Sequence, residues 1–309
     1  MHREITLTEL TEVVARLAAL LGPRVGGIEP LTGGITNRNY HVNFGGTDYV
    51  VRLPGKDTDL LGIDREAERI ATKTAAELGI GPSVAAMLER PACLVTSFIR
   101  GREMTSKELR ERDTIAEVAR ALRSFHTSGT RLPVTFNALA IAESYAESAD
   151  RLGIGLPEGF EAARDRARQV KSAVADHPDH APVACHDDLL TANFMHDGEQ
   201  VQIIDWEYAG MGDRFFDLGN FAVNNDFDEE DEEWLLEAYF HETPDARRRA
   251  ALKLFRFMSD LREAMWGVLQ SGVSEIAFDF SGYASKHFDR LTQTSSDSRF
   301  EGWIEQAGG

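Results

Sequence analysis

VACHDDLLTANFMHDGEQVQIIDWEYAG, residues 183–210, is the stretch on which the architecture turns. Phe194–His196 and Val201–Ile204 have strand character, and Asp197-Gly198 between them is a hairpin signal. Closing that hairpin brings Asn193 at one end beside Asp205 at the other, with Asp188 on the preceding loop. Two carboxylates and a carboxamide at one spot form a hard-oxygen site suited to Mg²⁺, which keeps several waters and binds substrate phosphates as well. The competing role for Asp188 and Asp205 is local, as hairpin-end residues that bond their own turns.

The spacing His186-x-Asp188-x-x-x-x-Asn193 matches the catalytic loop of phosphotransferases. In that loop the Asp accepts the proton of a substrate hydroxyl and the Asn binds metal, while a later Asp at a strand end supplies the second metal contact. Phosphoryl transfer needs positioning and charge neutralisation more than covalent chemistry, so few groups suffice. His186 takes a structural role in this arrangement, its ring tying the loop together. No ligand-spaced His or Cys accompanies it, which argues against zinc.

Working outward, the preceding hundred residues are β-rich. Residues 28–31, the alternation Tyr40, Val42 and Phe44, and residues 49–53 read as strands, with turns at 32–37 and at Gly45-Gly46. Two more short strands fall near 84–88 and 94–99. Helical spacing appears at the N-terminus, where Leu7, Leu10, Val14, Leu17 and Leu21 form a stripe behind a Thr6/Glu9 capping box, and again over 64–78. Beyond Gly101 the pattern predicts helices at about 106–128, 141–152, 158–176, 229–241, 244–271 and 280–293. Gly33-Gly34, followed by Thr36 and Asn37, is a candidate phosphate-binding turn, because small residues let backbone N–H groups approach phosphate oxygens. Arg52 is a cation inside an apolar strand and needs a partner, for which Glu66 and Glu68 on the following helix are candidates. An arginine there can grip phosphate bidentately; the plainer alternative is a surface residue on an edge strand.

The chain has 309 residues, 33 basic against 51 acidic, for a formal charge of −18. With 42% apolar and 27% charged residues it reads as an ordinary globular protein, long enough to fold as one large bilobal unit without metal or disulfide staples. The acidity excludes a nucleic-acid grip and disfavours anionic membranes. A cationic small substrate would be welcome in such a field. Cys93 and Cys185 are too few for a secreted disulfide scaffold and read as reduced, buried thiols. No window is long and apolar enough to span a bilayer, and Glu4, Glu9 and Glu12 sit where a signal peptide would be basic and then apolar. The expectation is a cytoplasmic protein.

Taken together, LTGGITNRNYHV, YVVRLPG, IDREAE, LVTSFIRG, HDDLLTANF, IDWEYAGMGDRFFDLGN and MWGVLQSGVSEIAFDFSGYASKHFDRL resemble the choline/ethanolamine kinase family, its bacterial members in particular. That family belongs to the kinase-like phosphotransferases that include aminoglycoside kinases, and the resemblance runs from about 31 to 291. It implies an α+β, bilobal, protein-kinase-like fold, with an N-terminal nucleotide-binding lobe over 1–98 and a mostly helical catalytic and substrate lobe over 99–309. It further implies ATP and Mg²⁺ as cofactors, Asp188 as the base, Asn193 and Asp205 as metal ligands, and Asp217 as an anchor under the catalytic loop. Arg52 would pair with Glu68, and backbone atoms near Ser97 to Ile99 would hold adenine.

The same resemblance points to Trp266 and Tyr283 as aromatic walls for a quaternary ammonium, with core packing as the competing role. Glu263, Trp266 and Gln270 lie three and four apart, so they share a helix face. The chain departs from well-known eukaryotic members where Glu263 replaces a second cage tryptophan and Asn224 an acidic residue. A carboxylate suits a primary ammonium with N–H donors at least as well as it suits choline. Choline is the first expectation, then ethanolamine or another amino alcohol, then thiamine or an aminoglycoside. A non-catalytic nucleotide-binding scaffold is the alternative from outside enzymology, disfavoured by the intact base and metal positions. A protein kinase is poorer still, because no room remains after Asp205 for an activation segment.

Overall fold

The computed structural model describes residues 7–31, 37–55, 58–90, 92–274 and 276–308. Helix α1 (Leu7–Leu21) stops at Gly22, whose φ is +100°. Strands β1 (Arg24–Leu31), β2 (Asn37–Phe44), β3 (Thr47–Pro54), β4 (Val84–Glu89) and β5 (Ala92–Ser97) form one antiparallel sheet in the order β1-β2-β3-β5-β4. Leu10, Val13, Val14 and Leu17 of α1 pack with Val42, Phe44, Val51, Leu53 and Val95, giving the sheet a core of its own. The capping box at Thr6 lies outside the described residues, as do Gly33, Gly34 and Thr36.

Helix α2 (Arg65–Glu77) starts where the Asp64 side chain accepts from the Ala67 N–H, with Glu66 and Glu68 in its first turn. Its inner face, Ala71 and Ala75, joins the larger core formed by the C-terminal elements. The chain leaves the sheet after Ser97 and enters a second, three-stranded sheet in the order β6-β8-β9, comprising β6 (Arg102–Glu103), β8 (Phe194–His196) and β9 (Val201–Ile203). Gly101 makes that passage possible, because a Cβ there would collide with the His196 carbonyl. A third small sheet pairs β7 (Val183–Cys185) with β10 (Gly210–Gly212).

The rest is helical: α3 (Ser106–Leu109), α4 (Arg112–His126), α5 (Ala138–Arg151), α6 (Phe160–Val174), α7 (Arg214–Asn224), α8 (Glu229–Phe240), α9 (Ala246–Val273), α10 (Phe280–Ser295) and α11 (Phe300–Gly308). The single helix expected over 106–128 is two. The capping box of Thr105 and Glu108 starts a one-turn helix, and the chain then turns at Glu111, whose ψ of 132° is extended. Arg110 fastens this corner to α8 through Asp231 and Asp228, at 2.7 and 2.6 Å.

Two helices, α7 and α11, had no expectation in the sequence. Every residue from 215 to 223 is buried, so α7 shows no amphipathic stripe, and Gly219 further weakens its helical pattern. Its glycine is a packing requirement, since a Cβ at 219 would lie 2.6 Å from the Phe255 carbonyl carbon on α9. The close crossing of α7 and α9 is what later brings Asn220 to the active loop. Both cysteines are unpaired and buried, and burial pushes the Cys93 thiol up to about 12. Among the described residues no helix is long and apolar enough to cross a membrane.

Candidate active site

The expected hairpin forms, with Phe194 facing Ile203 and His196 facing Val201. The Ile204 N–H donates to the Asn193 carbonyl at 3.0 Å, so Asn193 and Asp205 stand together at the open end. The loop before the hairpin is held from three sides. The His186 ring accepts the Asp188 N–H on Nδ1 at 3.2 Å, which makes Nε2 the donor to the Ile204 carbonyl at 2.9 Å. Burial lowers its pKa.

Asp217, on α7, is fully buried directly beneath. Its carboxylate accepts the His186 and Asp187 N–H groups, both at 2.8 Å, and His126 Nε2 at 2.9 Å. Burial alone would raise its pKa, but His126 and those donors outweigh it and draw it below the usual range. One turn on, the Asn220 Oδ1 takes the Leu189 N–H. Asp187 and Asp205 both adopt φ of 67°, a left-handed conformation costly for a residue with a side chain. Such strain is characteristic of functional loops, and the bonds just described supply the force that holds it.

Asp188 therefore projects from a fixed backbone. Asn193 Nδ2 donates to its carbonyl at 2.7 Å and approaches its Oδ2 at 3.4 Å, while Arg262 Nη1 lies 3.2 Å from Oδ1. Burial pushes the Asp188 carboxyl well up, opposed by Arg262 and reinforced by Glu263, Asp205 and Glu207. With its amide nitrogen engaged by Asp188, Asn193 leaves its carbonyl oxygen available to a cation. Asp205 accepts Arg52 Nη1 on Oδ1 at 2.5 Å, and its side chain remains 23% exposed at the cleft. An oxygen-only donor set with excess negative charge fits a hard divalent cation.

Arg52 also donates to Glu68 Oε1 at 3.0 Å, whereas Glu66 pairs with Arg69 at 2.7 Å, which settles the choice between the two glutamates. Burial would lower the Arg52 pKa, but Asp205, Glu68 and Glu207 together drive it up. Asn37 is buried at the start of β2, donating to Glu207 at 2.7 Å and accepting from Arg65 at 3.2 Å. Glu207 is pushed up to about 7 by burial and by the neighbouring Asp205. Between the sheet and the hairpin lies a cleft of about 230 Å³, with Val50, Leu94, Ser97, Ile99, Met195 and Ile204 in its walls and Arg52 and Asp205 among its polar groups. An apolar slot with charged groups in its lining suits a flat base carrying phosphates.

On the other side of Asp188 runs α9, in which every residue from 257 to 270 is buried. Glu263 accepts Arg262 Nη1 on Oε1 and the Tyr283 hydroxyl on Oε2, both at 2.7 Å. Burial would raise its pKa, but Arg262, His287 and the Tyr283 hydroxyl together draw it down. Trp266 donates to the Tyr208 hydroxyl at 3.0 Å and meets Tyr283 edge-on, with ring centroids 5.5 Å apart. The residues sequence reasoning passed over are Arg262, Glu207, Arg65 and Asn220. A signal for Arg262 was present: an Arg-Glu pair within the apolar run LREAMWG marks charges that must be buried and paired.

Residues 27–252 match the model of the phosphotransferase enzyme family. The crystal structure of a choline/ethanolamine kinase family protein from Mesorhizobium loti superposes with a TM-score of 0.82 at 31% identity, covering 97% of this chain and 99% of that one. The choline kinase LicA of Streptococcus pneumoniae shares the fold, with a TM-score of 0.77 at 22% identity over 92% of this chain and 98% of its own. A probable ethanolamine kinase from Arabidopsis thaliana is 27% identical, over 83% of this chain and 76% of its own length. Fold and site thus define a kinase-like phosphotransferase with an alcohol group as acceptor. The chain belongs to the phosphotransferase enzyme family and, within it, to the choline/ethanolamine kinases.

Proposed function

We propose that the protein transfers the γ-phosphoryl group of ATP, with Mg²⁺, to the hydroxyl of an amino alcohol, choline first. The convergence of Asp188, Asn193 and Asp205 at one hairpin end carries this reading. Asp188 takes the hydroxyl proton, Asn193 and Asp205 hold the metal, and Arg52 turns from Asp205 toward phosphate. Bound there, Mg²⁺ neutralises phosphate charge and orients the transferring group. Backbone near Ser97 and Ile99 holds the adenine, and the lobe boundary falls at 98/99. Glu68 anchors Arg52, and His186 and Asp217 keep the loop in shape.

The choice of choline is supported by the state of Glu263. It is buried, with Arg262 on Oε1 and Tyr283 on Oε2, so neither oxygen stands free of a partner to meet a primary ammonium. A quaternary ammonium asks only for aromatic faces and a negative field, which Trp266, Tyr283 and the surrounding carboxylates supply. Ethanolamine is the second reading, favoured by the ethanolamine kinase among the relatives. ADP release over a panel of choline, ethanolamine, thiamine and an aminoglycoside separates them. The expected result is a kcat/KM for choline about tenfold or more above that for ethanolamine, the scale of one cation–π contact. An equal or greater value for ethanolamine overturns choline and keeps phosphoryl transfer. No turnover with any acceptor restores the scaffold reading.

A further inference from the structure

Arg262 uses its fork in an uneconomical way. It is 1% exposed, yet Nη1 alone reaches both Asp188 and Glu263, while Nε and Nη2 are buried without a partner. The Tyr208 ring lies 4.3 Å from its guanidinium carbon and offers a face to the charge. A guanidinium serving only to neutralise Glu263 would meet that carboxylate with two parallel bonds. Unpaired buried donors are costly, and their retention beside a reactive group marks a place for an acceptor atom that arrives with a ligand. Arg262 stands between Asp188 and the Glu263–Tyr283–Trp266 group, on the acceptor side of the loop. An amino alcohol with a charged nitrogen has a single acceptor atom, its hydroxyl oxygen, and that atom must come to Asp188.

We propose that Arg262 binds the acceptor hydroxyl oxygen through its spare N–H groups while Asp188 takes the hydroxyl proton; this rests on the amino-alcohol reading above. The step balances without a further reactant. The hydroxyl oxygen forms a bond to the γ-phosphorus as the bond to the bridging oxygen breaks, the proton passes to Asp188, ADP leaves, and Arg262 stays protonated throughout.

Two variants test this. Arg262→Lys keeps the charge and loses the fork; the paired Arg262→Met/Glu263→Gln removes the closest ion pair as a unit, leaving Asp188 alone without its Arg262 contact, so it carries the measurement if the lysine variant fails to fold. In folded variants the KM for ATP should stay within about threefold, while kcat/KM for the acceptor falls by about 10–100-fold, the worth of one charged hydrogen bond. The sharper readout is binding preference for an alcohol over its deoxy analogue, choline over ethyltrimethylammonium. That preference should fall by about tenfold in both variants, which a purely structural role would not produce. Turnover by Arg262→Lys within about threefold of wild type, or an unchanged preference in the paired variant, overturns the proposal. Absence of any amino-alcohol turnover by the wild type would instead overturn the functional reading beneath it.

Discussion

Asp188→Asn should lower phosphoryl transfer by about 100- to 10,000-fold, the range a positioned general base supplies. The exchange preserves shape, and the backbone contacts of residue 188 to Asn193 and His186 do not involve its carboxylate. What disappears is the carboxylate oxygen proposed to take the proton. Stability should hold or rise, because burial among Glu263, Asp205 and Glu207 pushes the Asp188 carboxyl up. An acid with a raised folded pKa costs folding free energy wherever it is ionised, and the neutral amide removes that cost. Thermal unfolding and nucleotide binding measured beside turnover check each part. A rate within about tenfold of wild type would remove Asp188 from the role of base.

The second large effect is on the fold. Asp217→Ala should cost about 3–5 kcal/mol, because each buried donor left without an acceptor costs about 1–3 kcal/mol. Three donors lose their acceptor together: the His186 and Asp187 N–H groups and the His126 ring. None can turn to water, since all three residues are buried. Asp217→Asn keeps one acceptor oxygen and should fall between. Urea midpoints with an unchanged m-value are the measurement, and a loss for Asp217→Ala below about 1 kcal/mol would contradict the anchoring role.

These two residues differ in how far the sequence discloses them. Asp188, Asn193 and Asp205 are joined by a hairpin whose turn is written in Asp197-Gly198, with Gly198 at φ 104°, so local chemistry brings them together. Arg52 and Glu68 are legible for a related reason: a cation in an apolar strand has few partners within reach. Asp217 has no such local signal, because α7 is buried all round and its helix is specified by contact with α9 rather than by periodicity. The break between α3 and α4 is set by a capping box and a distant ion pair. Spacing puts Glu263 on one helix face with Trp266, but its meaning depends on Arg262 and Tyr283, a neighbour in sequence and one on another helix. That pairing reverses the inference from a free carboxylate, and no spacing rule contains it.

The most direct measurement of the central claim follows the phosphorus atom. ³¹P NMR of Mg-ATP with choline and the protein should show a phosphomonoester growing in step with ADP. Asp188→Asn should leave the ATP resonances in place over the same interval. A wild-type spectrum in which ATP persists, or in which ADP grows only with inorganic phosphate, would contradict phosphoryl transfer to the alcohol.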